Sequence, residues 1–384
     1  MIQKFNAPTG RFAKEAFDLL NKKPVKGIPI WMINPMEHAN IDRLANMPAG
    51  SYKKDPVPVY IKMEQNAGCT MVDQFIPENP LSMGDKGYEA DAETRNSATA
   101  GNKEIEMDGM KIDSPEAVVE NMEKFWFPGI LDEIKNFNEE EIIDGIITEE
   151  NKVQKLVGED MLKVPYGYAR MPFLGYFSYG YENYFMAYAL YPEVMERSFK
   201  LQTDYAVLHN KAIARAITEG GLPPFYRMDH DMADQKGMLI DIKSLDKIWF
   251  PYFKKCMEPL VKAGVTVIWH CDGNLMDMLP RLIECGLKGF QGFQYEFGMD
   301  YEKICAMKTK DKEPLFIIAG VSVTTTLPFG KPDDVKKEMK FLVEKGPKTG
   351  LMLAASSSIA PGVPWDNIRV FTEGLKYYRE HGRG

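Results

Sequence analysis

A (β/α)8 barrel, an α/β fold of eight parallel strands closed on themselves, is predicted for this 384-residue chain by three observations. Short β-rich runs alternate with amphipathic stretches, several of which end at glycine, and that order gives parallel strands joined by crossover helices. Eight such runs can be counted, the number a closed barrel needs. No G-x-G-x-x-G follows the first run, which removes the main signal for an open doubly wound sheet. A barrel of about 250 residues with an N-terminal extension and insertions fills the length, so residues 1–384 are read as one domain.

The expected strands are GIPIWMIN (27–34), CTMVDQFI (69–76), MLKVPYGYA (161–169), GLPPFYRMDHD (221–231), VTVIWHCDGN (265–274), LKGFQGFQYE (287–296), PLFIIAGVS (314–322) and GLMLAASSS (350–358). Helices are expected over 11–22, from Pro56 to Ala67, and over 114–126, where Ser114 can cap the first turn and Pro115 occupies its first position. Further helices are expected over 191–221, 244–264 and 333–345, and from Trp365 to the end. Within 244–264, Leu245, Ile248, Trp249, Tyr252, Phe253, Cys256 and Leu260 share one face at helical spacing, and Pro251 marks a bend. Residues 77–113 are polar and glycine-rich without helical period, and are expected to form a lid or hairpin insertion after the second strand.

The formal charge of −8 argues against nucleic acid or an anionic membrane as partner, since both require clustered Lys and Arg. No apolar run approaches the roughly 18 residues of a membrane span, and the first residues lack the apolar core of a signal peptide. The five cysteines are scattered, which fits a reducing, cytoplasmic setting better than a disulfide framework.

Chemistry in a barrel gathers at the C-terminal strand ends. Those ends present Asn34, then Asp73 and Gln74, then Tyr166, Tyr168 and Arg170, then Asp229-His230-Asp231, His270-Cys271-Asp272, Gln294 and Glu296, and Ser356-Ser357-Ser358. Histidine beside carboxylates can bind a divalent metal or act as general acid and base. The strand period of two pairs His270 with Asp272 on one face and Asp229 with Asp231 on one face, and turns Cys271 and His230 away. The competing reading is that these groups are hydrogen-bonded polar residues that fix loops. No C-x-x-C, H-E-x-x-H, P-loop or G-x-S-x-G pattern occurs.

At these residues the chain resembles the uroporphyrinogen decarboxylase superfamily. VIWHCDGNLMDMLPRLIECGLKGFQ is similar to its H-x-C segment, ADQKGMLIDIKSLDKIWFPYFKK to the stretch before it, and GVSVTTTLPFGKPDDVKKEMKFLVEKG and SSSIAPGVPWDNIRVF to its two closing segments. RFAKEAFDLLNKKPVKGIPIWMI is similar to the opening helix and strand. The resemblance implies the barrel and two chemistries: decarboxylation of an acetate-bearing tetrapyrrole, or methyl transfer to or from a corrinoid carried by a separate small protein, usually assisted by zinc. Decarboxylases of the superfamily carry an arginine-rich R-Q-A-G-R stretch after the first strand. Here the place reads NPMEHANIDR, without the arginine forks that many carboxylates need. The zinc ligands of the thiol-activating methyltransferases fall by position on His270, Asp272 and Ser357, so only the histidine is retained.

The expectation is therefore a transferase that moves a methyl group from a small methylated donor, such as a methyl ether, to a corrinoid protein. Zinc or another ion would sit on His270, Asp272 and Asp231, with Asp231, His270 and Glu296 as catalytic groups. Asn34, Tyr166, Tyr168, Arg170, Tyr181 and Ser357 are expected to bind substrate. A uroporphyrinogen decarboxylase-like lyase and a non-catalytic small-molecule binder are the alternatives, and a homodimer stays open as the assembly.

Overall fold

A computed structural model describes residues 2–78 and 105–383. Its strands, in chain order, are β1 (Met71–Val72), β2 (Glu106–Met107), β3 (Met110–Lys111), β4 (Leu162–Lys163), β5 (Phe225–Asp229), β6 (Ala233–Asp234), β7 (Gly237–Met238), β8 (Thr266–His270), β9 (Gly289–Gln291), β10 (Phe316–Val321) and β11 (Leu351–Ala355). A five-stranded parallel sheet runs β11-β10-β9-β8-β5, and β1 pairs in parallel with β4. The buried segment around Ile30 joins the two sheets. Ile30 bridges Leu353 of β11 and Trp31 bridges Met71 of β1, both in parallel.

The ladder therefore passes through eight parallel segments in the order β4-β1-(30–31)-β11-β10-β9-β8-β5. A side chain of β5 reaches the segment that follows β4. The Tyr226 hydroxyl accepts the N–H groups of Tyr168 and Ala169, each at 2.6 Å. The α/β character and the parallel sheet are as expected, while most regular strands are shorter than their apolar runs and the first is reduced to isolated bridges.

The helices follow their sequence signals. Ser114 accepts the N–H of Ala117 at 3.1 Å, capping Pro115–Asn121, which continues through a π-helical turn (Met122–Trp126) into Phe127–Lys135. The stretch 244–264 is broken at Trp249 into Ile242–Ile248 and Phe250–Lys262, because Trp249 leaves helical geometry just before Pro251. Its apolar face meets the sheet as Trp249 and Phe253 pack edge-on against Trp269 of β8. The helix Glu139–Val157 was not anticipated, although Asn138 caps it and Ile143, Ile146, Ile147, Val153 and Val157 bury one face. The expected insertion at 77–113 lies largely outside the described residues, and β2 and β3 form an antiparallel hairpin near its end. Among the described residues, no helix is long and apolar enough to cross a membrane.

Two buried carboxylates sit under the outer layer. Glu64 accepts the N–H of Ile33 at 3.1 Å, and burial pushes its carboxyl up to about 8. Glu150 receives Lys163 of β4 at 2.8 Å, both side chains being nearly inaccessible. Removing one member of such a pair leaves an uncompensated buried charge. Lys163→Met is expected to lower stability by about 3–5 kcal/mol, and Lys163→Met with Glu150→Leu to recover part of that loss, as measured by chemical denaturation.

Candidate active site

Strand alternation decides which polar groups reach the interior. Trp269 faces the outer helix, so its neighbour His270 turns inward at the end of β8. On β5, Arg227 and Asp229 share the inner face, and Asp229 is in register with His270. Arg227 spans the interior. Its Nε donates to Asp73 Oδ2 at 2.7 Å, Nη1 to Asp229 Oδ2 at 2.8 Å and Nη2 to Gln74 Oε1 at 3.2 Å. The guanidinium lies 5.0 Å from the Trp31 ring centre and 4.6 Å from that of Tyr166, whose hydroxyl donates to Asp229 Oδ2 at 3.2 Å. Burial disfavours the Asp229 carboxylate, yet His270 and Arg227 together outweigh it and hold its pKa below the usual range.

His270 Nδ1 lies 3.2 Å from the Gln291 carbonyl, which leaves Nε2 for a bound molecule. A side chain at Gly292, where φ is +73°, would come within 3.0 Å of Nδ1 and 2.4 Å of the Ser356 carbonyl, so only glycine allows this placement. Burial opposes the imidazolium, but Asp229, Asp272 and Asp231 outweigh it and raise the pKa above the ordinary histidine value. Asp231 responds in the opposite sense to Asp229: burial and the Asp272 charge raise its pKa. Two carboxylates a few residues apart are thus driven apart in acidity, the pattern that separates acid from base in an active site.

The rim brings together most of the predicted residues. Asp231 Oδ1 accepts the N–H of Asp272 at 3.2 Å, and Ser357 Oγ donates to Asp272 Oδ2 at 3.3 Å. Asn34 Nδ2 donates to Ser358 Oγ at 2.9 Å, while Asn34 Oδ1 and Gln291 Oε1 are buried acceptors without a partner among the described residues. Tyr181 packs on Tyr176 at 4.7 Å, and Tyr176 donates to the Asp231 carbonyl at 2.7 Å. Asp229, Asp231 and Asp272 remain partly exposed, so solvent reaches the cluster.

Three candidates, Tyr168, Arg170 and Glu296, lie outside the hydrogen-bonded cluster. The Tyr168 hydroxyl donates to Glu150 at 3.1 Å, in the outer layer beside Lys163, because the chain turns after Gly167 (φ +83°). Arg170 is exposed and lines a cleft with Trp126, Glu133 and Tyr205, away from the rim cluster. Glu296 sits on the exposed flank, where Ser322 Oγ donates to it at 3.4 Å. His230 points away from the interior, as the alternation required: its Nε2 accepts the N–H of Leu174 at 3.0 Å, and burial lowers its pKa to about 4, so it is neutral and structural.

Arg227 was not singled out from sequence, although an arginine two residues before Asp229 in an apolar strand must share that residue's face. Tyr176 was also missed, since it lies on a short helix, Tyr176–Tyr179, that carries no helical period of its own.

Among the described residues, no three His, Cys, Asp or Glu side chains converge to hold a metal ion. Asp231, Asp272 and His270 Nδ1 are engaged with protein groups instead. This arrangement does not fit a preformed three-ligand zinc centre.

The family model for uroporphyrinogen decarboxylase (URO-D) matches residues 174–378, which include β5, β8, β9, β10, β11 and the His270 cluster. The chain belongs to the uroporphyrinogen decarboxylase family. A methyltransferase from Methanosarcina mazei aligns over 96% of this chain and 99% of its own, with TM-score 0.58 and 16% identity, which shows a shared fold. A "Putative Vitamin-B12 Independent Methionine Synthase" from Listeria monocytogenes aligns over 92% of this chain and 96% of its own, with TM-score 0.44 and 13% identity. No curated protein sequence matches.

The raised His270 pKa has a definite sign. Its attraction to the carboxylates stabilises the fold below the unfolded-state pKa and fades as pH rises through the folded-state value. Asp229→Asn removes the largest attractive contribution, so the His270 ring is expected to titrate at lower pH in that variant. NMR of the imidazole protons checks this, and an unmoved titration would contradict the assignment.

Proposed function

We propose that this family member is a single closed barrel that transfers a methyl group from a small methylated donor, such as a methyl ether, to a corrinoid protein. The observation that carries the reading is the cluster at the strand ends: an imidazole with raised pKa set among Asp229, Asp231 and Asp272. A raised pKa favours the protonated ring, which can deliver its proton to a leaving oxygen. The shared fold with a solved methyltransferase supports the reaction class.

In the proposed reaction the donor's C–O bond breaks and its electron pair stays on oxygen. That oxygen takes the proton held at His270 Nε2 or Asp231. The methyl carbon is received by the electron pair of the corrinoid partner, a second substrate that approaches at the rim. Asp229, held by Arg227 and Tyr166, favours the charged imidazole, and the Gln291 carbonyl orients the ring. Tyr166, Tyr176 and Tyr181 supply an aromatic wall, and Asn34 Oδ1 and Gln291 Oε1 are acceptors that can orient the donor.

The same geometry disfavours a substrate with many carboxylates. Arg227 is committed to Asp73 and Asp229, and Arg170 lies off the cluster, so neither offers a fork to an acetate side chain.

The test is to mix the protein with a reduced corrinoid protein and a panel of methyl ethers, methylamines and methyl thiols, following corrinoid absorbance. Transfer from an ether is expected, with kcat falling as pH rises through the His270 pKa. His270→Gln and Asp231→Asn are each expected to lower kcat by about 10²–10⁴. Transfer from no donor class, or full activity in His270→Gln, would overturn the reading.

A further inference from the structure

At the opposite end of the strands lies a cavity of about 540 Å³. Its walls include Thr266, Phe316 and Leu351, the first residues of β8, β10 and β11. Thr266 and His270 are four residues apart on one strand, so the two sites are separated by roughly 13 Å of strand. The volume falls in the range of small-molecule sites, about 300–1,000 Å³.

The lining is unusual in charge. Lys22, Lys23, Lys26, Lys288, Lys348 and Arg383 surround it, against a single acid, Glu313, in a chain whose net charge is −8. Lys22 is paired with Glu313, and Lys23 with Asp18 at 3.0 Å. Among the described residues, Lys26, Lys288, Lys348 and Arg383 have no carboxylate within ion-pair distance. Lys288 is the most telling. It is half-buried, among the described residues its ammonium donates only to the Gly264 carbonyl at 3.2 Å, and burial and Lys22 lower its pKa against the pull of Asp311 and Glu313. Concentrated cations with low-dielectric walls favour an anion. Between the charges the surface is apolar, from Leu20, Val25, Pro314, Phe316 and Leu351.

We infer that this cavity is a second binding site, at the N-terminal end of the barrel strands, for a small organic anion that carries a phosphate or carboxylate head on an apolar body. The head pairs with Lys288, Lys26 and Lys348, and the body covers Phe316 and Leu351. The site is independent of the chemistry at His270.

The experiment is isothermal titration calorimetry of the full chain, in buffer free of phosphate, with hexyl phosphate, hexanoate, hexan-1-ol and inorganic phosphate. Hexyl phosphate or hexanoate is expected to bind saturably at one site, and the tighter of the two identifies the head group. Hexan-1-ol, which keeps the tail, and inorganic phosphate, which keeps the head, are each expected to bind at least about tenfold more weakly. Lys288→Met with Lys348→Glu is expected to weaken the anion by about tenfold or more, and His270→Gln to leave it unchanged. Should that double variant fail to fold, Lys26→Glu with Lys348→Glu alters only exposed side chains and carries the same expectation. Equal binding of hexan-1-ol, wild-type affinity in the folded variants, or no saturable binding of either anion at millimolar concentration would each overturn the proposal.

Discussion

The interior of this molecule is organised around one buried guanidinium. Arg227 cannot lose its proton, and it lies where water does not reach. It must therefore be answered by anions, and Asp73 and Asp229 answer it from two different strand ends. That requirement fixes the spacing between the end of β1 and the end of β5. It also favours the Asp229 carboxylate as an ion, and an ionised Asp229 favours the charged form of the neighbouring imidazole. The acid at the rim is thus a consequence of a cation deeper in the wall.

This explains why carboxylates close together behave differently. Asp229 has Arg227 and Tyr166 as direct partners and stays ionised. Asp231 has only a backbone amide and faces Asp272, so its charge is disfavoured. The difference is one of partners, not of residue type, and so composition alone does not reveal it.

Much of the architecture was legible because it rests on periodicity. Alternating β-rich and amphipathic runs located the parallel strands, and Ser114 and Pro115 located a helix start. Strand alternation also separated His270 from Cys271 and Asp229 from His230 correctly. It failed once the chain left the ladder. Tyr168 and Arg170 follow Gly167, whose positive φ turns the backbone, and a period of two carries no information beyond that point. The helix Glu139–Val157 went unread, although its acidic first turn complements the helix dipole. Arg227 went unread because a single charge within FYRMD looks like noise until its partners are known.

The contact of β5 with the segment that follows β4 has a mechanical consequence. Along β11, β10, β9, β8 and β5, load is shared among rows of amide–carbonyl bonds. Here one phenolic oxygen gathers two amides, so it acts as a rivet rather than a weld. A displacement imposed at the rim will concentrate its shear on that rivet. The segment it holds leads on to Tyr176 and Tyr181, so the aromatic side of the cluster rests on side-chain bonds where the His270 side rests on a strand ladder.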